Sequence, residues 1–209
     1  MTDGPSIPPP PPVGGNSSLV TRAINILTKP NTEWLAVEAE PSSNGKLFTY
    51  AAIFSLIAPI CALLAVLLSP LGGYIFQLTS LLIKMLLLSY VMALVPPIAL
   101  GFILDALTPN LGGQKNSQNA IKLAVYSGTA YWVGAIGLIL SPWLWVVIGL
   151  AYAGFLLWVG TPILMKTATD KTPVFVGAAV GIWLVLYIIL NVISQKVIYS
   201  GMGYGGMMM

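Results

Sequence analysis

The side chains able to do chemistry in this chain are few. Six carboxylates, no histidine and one cysteine make up the inventory. Asp3, Glu33, Glu38 and Glu40 sit in an N-terminal arm, leaving Asp105 and Asp170 for the rest of the chain. Without histidine there is no imidazole base, no Ser-His-Asp or Cys-His pair and no histidine-built metal site. A lone Cys61 forms no intramolecular disulfide. No phosphate-cradling glycine loop, HExxH or GxSxG occurs, and no carboxylates are paired at a usable spacing. No catalytic residue, cofactor or resident metal is expected. Met202, Met207, Met208 and Met209 are soft thioethers of the kind that hold Cu(I), but without Cys or His beside them they read as a flexible tail. The charge that stands out is Lys84, an ammonium inside an apolar stretch, where an ionisable residue is a candidate polar site.

The elements that carry these residues are apolar. Of 209 residues 57% are hydrophobic and 7% charged, with a mean hydropathy of +0.88. Too few polar residues remain to cover one soluble core of this size. A net charge of +3 gives no reason to expect nucleic acid. The composition implies an all-α polytopic membrane bundle. Residues 1–18 read as a disordered Pro-rich tail, 19–46 as short amphipathic helices at the cytoplasmic interface, 47–197 as five transmembrane helices and 198–209 as a flexible Gly/Met tail. The expected spans are about 47–69, 74–104, 120–140, 143–165 and 173–193, each meeting the need for ~20 apolar residues.

Basic residues orient the bundle. With the N-terminus cytoplasmic, Arg22, Lys29, Lys46, Lys115, Lys122, Lys166 and Lys171 fall inside and Lys196 alone outside, with the C-terminus periplasmic. The second span is too long for a 30 Å hydrocarbon core. Either its first residues lie along the outer surface and Lys84 snorkels, or Lys84 enters a polar cleft. Pro96 and Pro97 are expected to kink this helix and free carbonyls from its ladder. Small residues recur at helix-packing spacing: Ala130, Gly134 and Gly137, then Gly149, Ala153 and Gly154. The GxxxG pair Gly177 and Gly181 serves either packing within the bundle or a homodimer. Arg22, Lys29 and Trp34 read as interfacial anchors.

Several stretches together resemble the Yip1 family in its bacterial form. They are Ile26-Leu27-Thr28-Lys29-Pro30 through Trp34; Thr108-Pro109-Asn110-Leu111-Gly112-Gly113-Gln114-Lys115-Asn116 followed by residues 120–127; and Trp158-Val159-Gly160-Thr161-Pro162-Ile163-Leu164-Met165-Lys166 with Asp170-Lys171. Tyr131-Trp132 departs from the family, which often has a proline before this tryptophan. The resemblance implies a five-span protein of the bacterial inner membrane with a cytoplasmic N-terminus. Pro109, Gly112 and Gly113 should form a rigid turn, and Gly160 and Pro162 a helix-end break. The expected function is non-enzymatic: binding or organising other membrane components, as an accessory subunit of a membrane complex. Its partners would be lipids and other membrane proteins or further copies of itself. The competing expectation is a small-solute or ion transporter with a path near Lys84 and the Pro96-Pro97 kink.

Overall fold

A computed structural model describes residues 18–200, apart from residues 42, 71–78, 142 and 144. The Pro-rich and Met-rich tails, the turn after Pro70 and the start of the second apolar segment lie outside the described residues. All regular structure among them is helical. Two short helices come first, α1 (Leu19–Thr28) and α2 (Pro30–Ala39). Then follow α3 (Asn44–Ser55), α4 (Ile57–Leu68) and α5 (Thr79–Leu107). A 3-10 turn (Thr108–Leu111) leads to α6 (Ser117–Gly134) and a second 3-10 turn (Ala135–Ile139). A π turn (Trp145–Gly149), α7 (Leu150–Leu164) and α8 (Thr172–Ser200) complete the chain.

Local sequence sets the helix starts. The hydroxyls of Ser18 and Ser43 accept from the amides of Thr21 and Lys46, and the Asn116 side chain accepts from the Asn119 amide. Pro30 opens α2, where its missing N–H costs nothing.

Four helical stretches are apolar and long enough to cross a membrane: Asn44–Leu68, Thr79–Leu111, Val147–Leu164 and Thr172–Ile198. The third expected span differs from these. Residues from Ala120 through Trp132 of α6 are all buried, with α1, α3, α5 and α7 packed around them. The reason is chemical. This helix carries Lys122, Tyr126, Ser127 and Thr129, which α6 could not expose to hydrocarbon, so the other helices enclose it.

Close approach follows the glycines in places. A Cβ on Gly101 would sit 2.9 Å from the Ile121 backbone, and one on Gly134 2.8 Å from Gly149. Gly134 and Gly149 thus pack as small residues are expected to. Gly177 and Gly181 do not: a Cβ on either would meet nothing within 4 Å, so this pair plays no part in packing within the bundle.

The prolines act through the carbonyls they release. Both Pro96 and Pro97 are buried inside α5, a single helix from Thr79 to Leu107. Pro97 has no N–H to give the carbonyl of Ala93, four residues back. The Trp132 indole Nε1–H donates to that oxygen instead, at 2.8 Å. A second release occurs at the α3–α4 junction. There Leu56 bonds back to Ile53, and the Ala52 carbonyl accepts from the hydroxyls of Ser55 and Tyr90.

Replacing Trp132 by Phe keeps the ring and removes the donor. Leaving the Ala93 carbonyl unsatisfied should cost about 1–3 kcal/mol in a detergent unfolding titration, while Gly177→Ala in the same assay should be near neutral.

Candidate functional site

The densest polar cluster lies where the α1–α2 hairpin seats on α6 and α7. Arg22 projects from α1 and is only 6% exposed. One guanidinium nitrogen donates to Glu33 Oε1 at 2.5 Å, and the other donates to Glu40 Oε2. The guanidinium carbon stands 5.9 Å from the centre of the Tyr126 ring, a cation–π distance. Lys122, 3% exposed, rises from α6 and donates to the carbonyls of Val37 and Glu40, at 2.8 and 2.7 Å. Two cations and two carboxylates therefore balance, and Lys122 also caps the end of α2, whose last carbonyls have no partner within the helix. An exposed pair, Lys166–Glu38, ties the end of α2 to the end of α7.

Trp34 completes the seat. It is fully buried. Its indole lies over Gly160, where a Cβ would come within 2.7 Å of the ring, and meets Tyr126 edge-on at 6.5 Å between centroids. Farther along the hairpin, the Tyr152 hydroxyl of α7 donates to the carbonyl of Leu27, near the end of α1.

This corrects the interfacial reading of the hairpin. Arg22 and Trp34 are not anchors at a lipid surface; they lie inside the protein, while Lys29 is exposed. The interfacial reading rested on two amphipathic helices too short to span a bilayer; within the fold Glu33 and Glu40 neutralise Arg22, so it needs no aqueous surface. Gly160 and Pro162 likewise do not end α7, which runs through both to Leu164. Gly160 instead makes room for the indole.

The turn after α5 forms as its residues require. Pro109 occupies the first turn of the 3-10 segment, and Gly112 follows with φ of 77°, a left-handed conformation that favours glycine. Gly113 packs so close to Met165 that a Cβ would lie 2.9 Å from its carbonyl oxygen. The amide of Gln114 donates to that same oxygen at 2.8 Å, and the Asn119 amide group donates to Leu164 O at 3.0 Å. The stretches 26–34, 108–127 and 158–171, far apart in sequence, are thus brought together at one end of the bundle.

Lys84 is exposed near the start of α5. Sequence reasoning missed Glu33, Glu40, Lys122 and Tyr126 as members of the cluster. One signal was available: Glu33, Val37 and Glu40 fall on one face of a helix together, so the two acids share the side that carries a core residue. Chemically the cluster is closed. Among the described residues no set of three His, Cys, Asp or Glu side chains converges as a metal site would need, and the charges of the cluster are spent on one another and on backbone.

Comparison with known families places a match over most of this region: residues 24–193, beginning just after Arg22, fit the Yip1 domain model. No curated protein and no solved structure matches the chain.

Arg22→Met would leave the buried Glu33 carboxylate without its paired cation, a loss of roughly 3–5 kcal/mol. Lys166→Met breaks only the exposed pair and should cost under about 1 kcal/mol. Detergent unfolding of the two variants side by side measures the difference.

Proposed function

This chain belongs to the Yip1 family, and from that premise we propose that it is a non-enzymatic membrane protein which binds or organises other membrane components, as an accessory subunit of a membrane complex. One observation carries the reading. The hairpin turns Arg22 and Glu33 inward with part of its apolar side chains and leaves other apolar side chains outward. Val20 and Ile24, one turn apart on α1, are 61% and 54% exposed, and Leu35 on α2 is 56% exposed. An apolar surface on a hairpin fixed in place by buried ion pairs suits contact with another membrane protein or with lipid tails. Arg22, Glu33, Glu40 and Lys122 are engaged in holding that hairpin.

The setting we propose is the bacterial inner membrane with the hairpin end cytoplasmic. Its support is the basic set Lys46, Lys115, Lys166 and Lys171, carried by the helix ends and loops around the hairpin. Five crossings require that α6, with its following 3-10 turn, spans the bilayer inside a sheath of the other helices. The transporter alternative gains nothing from the surroundings of Lys84.

Purification from native membranes in mild detergent tests the proposal. A stoichiometric membrane partner is expected, and it should be lost from a Val20→Ser, Ile24→Ser, Leu35→Ser triple variant whose own unfolding midpoint is unchanged. Recovery of the protein alone, or undiminished partner recovery with the variant, overturns it.

A further inference from the structure

The α1–α2 hairpin does not lie across the end of the bundle; it runs down along it. Three contacts on the α7 side mark the descent. Glu38 pairs with Lys166, just past the end of α7. Trp34 lies over Gly160, about one turn before Leu164. The Leu27 carbonyl accepts from Tyr152, twelve residues before Leu164. At the helical rise those residues cover about 18 Å, more than half of a ~30 Å hydrocarbon core. They belong to Val147–Leu164, a stretch long and apolar enough to cross a membrane. The same course is marked on α6. Lys122, near its start, meets the carbonyls of Val37 and Glu40, Tyr126 meets Arg22, and Leu27 shares a groove with Val133 and Gly134 at its end. The tip of the hairpin, residues 28–32, therefore points away from the Lys166 end and into the depth of the bundle.

The polarity of the hairpin is inverted with respect to that descent. Val20, Ile24 and Leu35, on its flanks, are exposed and apolar. Thr28, Lys29, Asn31 and Thr32, at the tip, are exposed and polar. The two threonine hydroxyls donate to the carbonyls of Ile24 and Lys29. The Lys29 ammonium has no hydrogen bond or ion pair among the described residues. Lipid tails offer an ammonium nothing, and charges at such depth pair with other polar groups.

We propose that Lys29 forms an ion pair, inside the membrane, with a carboxylate on a transmembrane helix of a partner protein. This rests on the partner-binding reading above and names the chemistry of that partner. A lipid phosphate is disfavoured, because either headgroup layer lies more than ~10 Å from the tip. A second copy of this chain is disfavoured too. Asp105 stands near the end of α5 and Asp170 in the loop before α8, both at the Lys166 end rather than at the depth of the tip. Beside the tip, an open and mostly apolar groove of about 270 Å³ begins at Leu27 and gives the partner's neighbouring side chains a seat against Ile136 and Ile148.

Purification of the full chain from native membranes tests this. Lys29 holds nothing within the fold, so Lys29→Gln should unfold in detergent at the parent's midpoint. Partner recovery should fall at least about tenfold with Lys29→Gln and be retained with Lys29→Arg. Full recovery with Lys29→Gln, or equal loss with Lys29→Arg, overturns the inference. If the Val20, Ile24 and Leu35 triple variant loses the partner in that same experiment, the broader reading stands without it. Loss of a co-purified anionic lipid from Lys29→Gln, with the protein partner still present, overturns it as well. Depth is read separately. In a Cys61→Ala background, Lys29→Cys should resist a membrane-impermeant maleimide applied to either face of the membrane, while Lys115→Cys reacts. Labelling of Lys29→Cys places the tip in water and overturns the inference.

Discussion

An apolar bundle gives its backbone no water to bond with, so each carbonyl that leaves a helix ladder must find a donor inside the protein. This constraint shows at several breaks among the described residues. Where Pro97 withdraws its N–H, the Trp132 indole serves Ala93. At the α3–α4 junction, Tyr90 reaches Ala52. Tyr152 closes the end of α1 at Leu27, and Trp145 donates to Tyr131 O where α6 tightens into a 3-10 turn. Asn119 and Lys122 do the same for the ends of α7 and α2. Each donor comes from a different helix than the carbonyl it serves or lies beyond a break, so the satisfaction of backbone doubles as tertiary structure.

The buried ions obey the same logic at a higher stake. Arg22 and Lys122 lie away from water because Glu33, Glu40 and two carbonyls receive their donors. An ion cluster of this kind contributes modest net stability, yet it tolerates no missing member. The hairpin is in consequence part of the bundle. Ile26, Trp34 and Val37 belong to the same buried core as Leu123, Leu156 and Leu164.

The apolar segments and the turn at 108–113 were legible in the sequence, because hydropathy and Pro/Gly placement are local signals. The stretches resembling the Yip1 family were also readable, though not that they meet in space. What could not be read is what covers what. Trp34 looks like an interfacial residue from its neighbours, and only Gly160, 126 positions later, makes it a core one. Gly177 and Gly181 show the converse: the spacing suggests a packed seam, and the structure puts nothing against them. Lys122 looked like a charge at a span entrance. Its burial depends on carbonyls of α2, which have no side-chain signature.

The distance in sequence between the hairpin and its seat has a consequence in time. The hairpin is made before its seat, since its fastenings to Lys122, Tyr152, Gly160 and Lys166 are made far later. At ribosomal rates of ~5–20 residues per second, the delay between Trp34 and Gly160 is about 6–25 s. Throughout that interval Arg22, Glu33 and Glu40 have one another, but Trp34 lacks Gly160 beneath its indole. The hairpin is therefore synthesised well before the seat that finishes it, and an early element closes the bundle late.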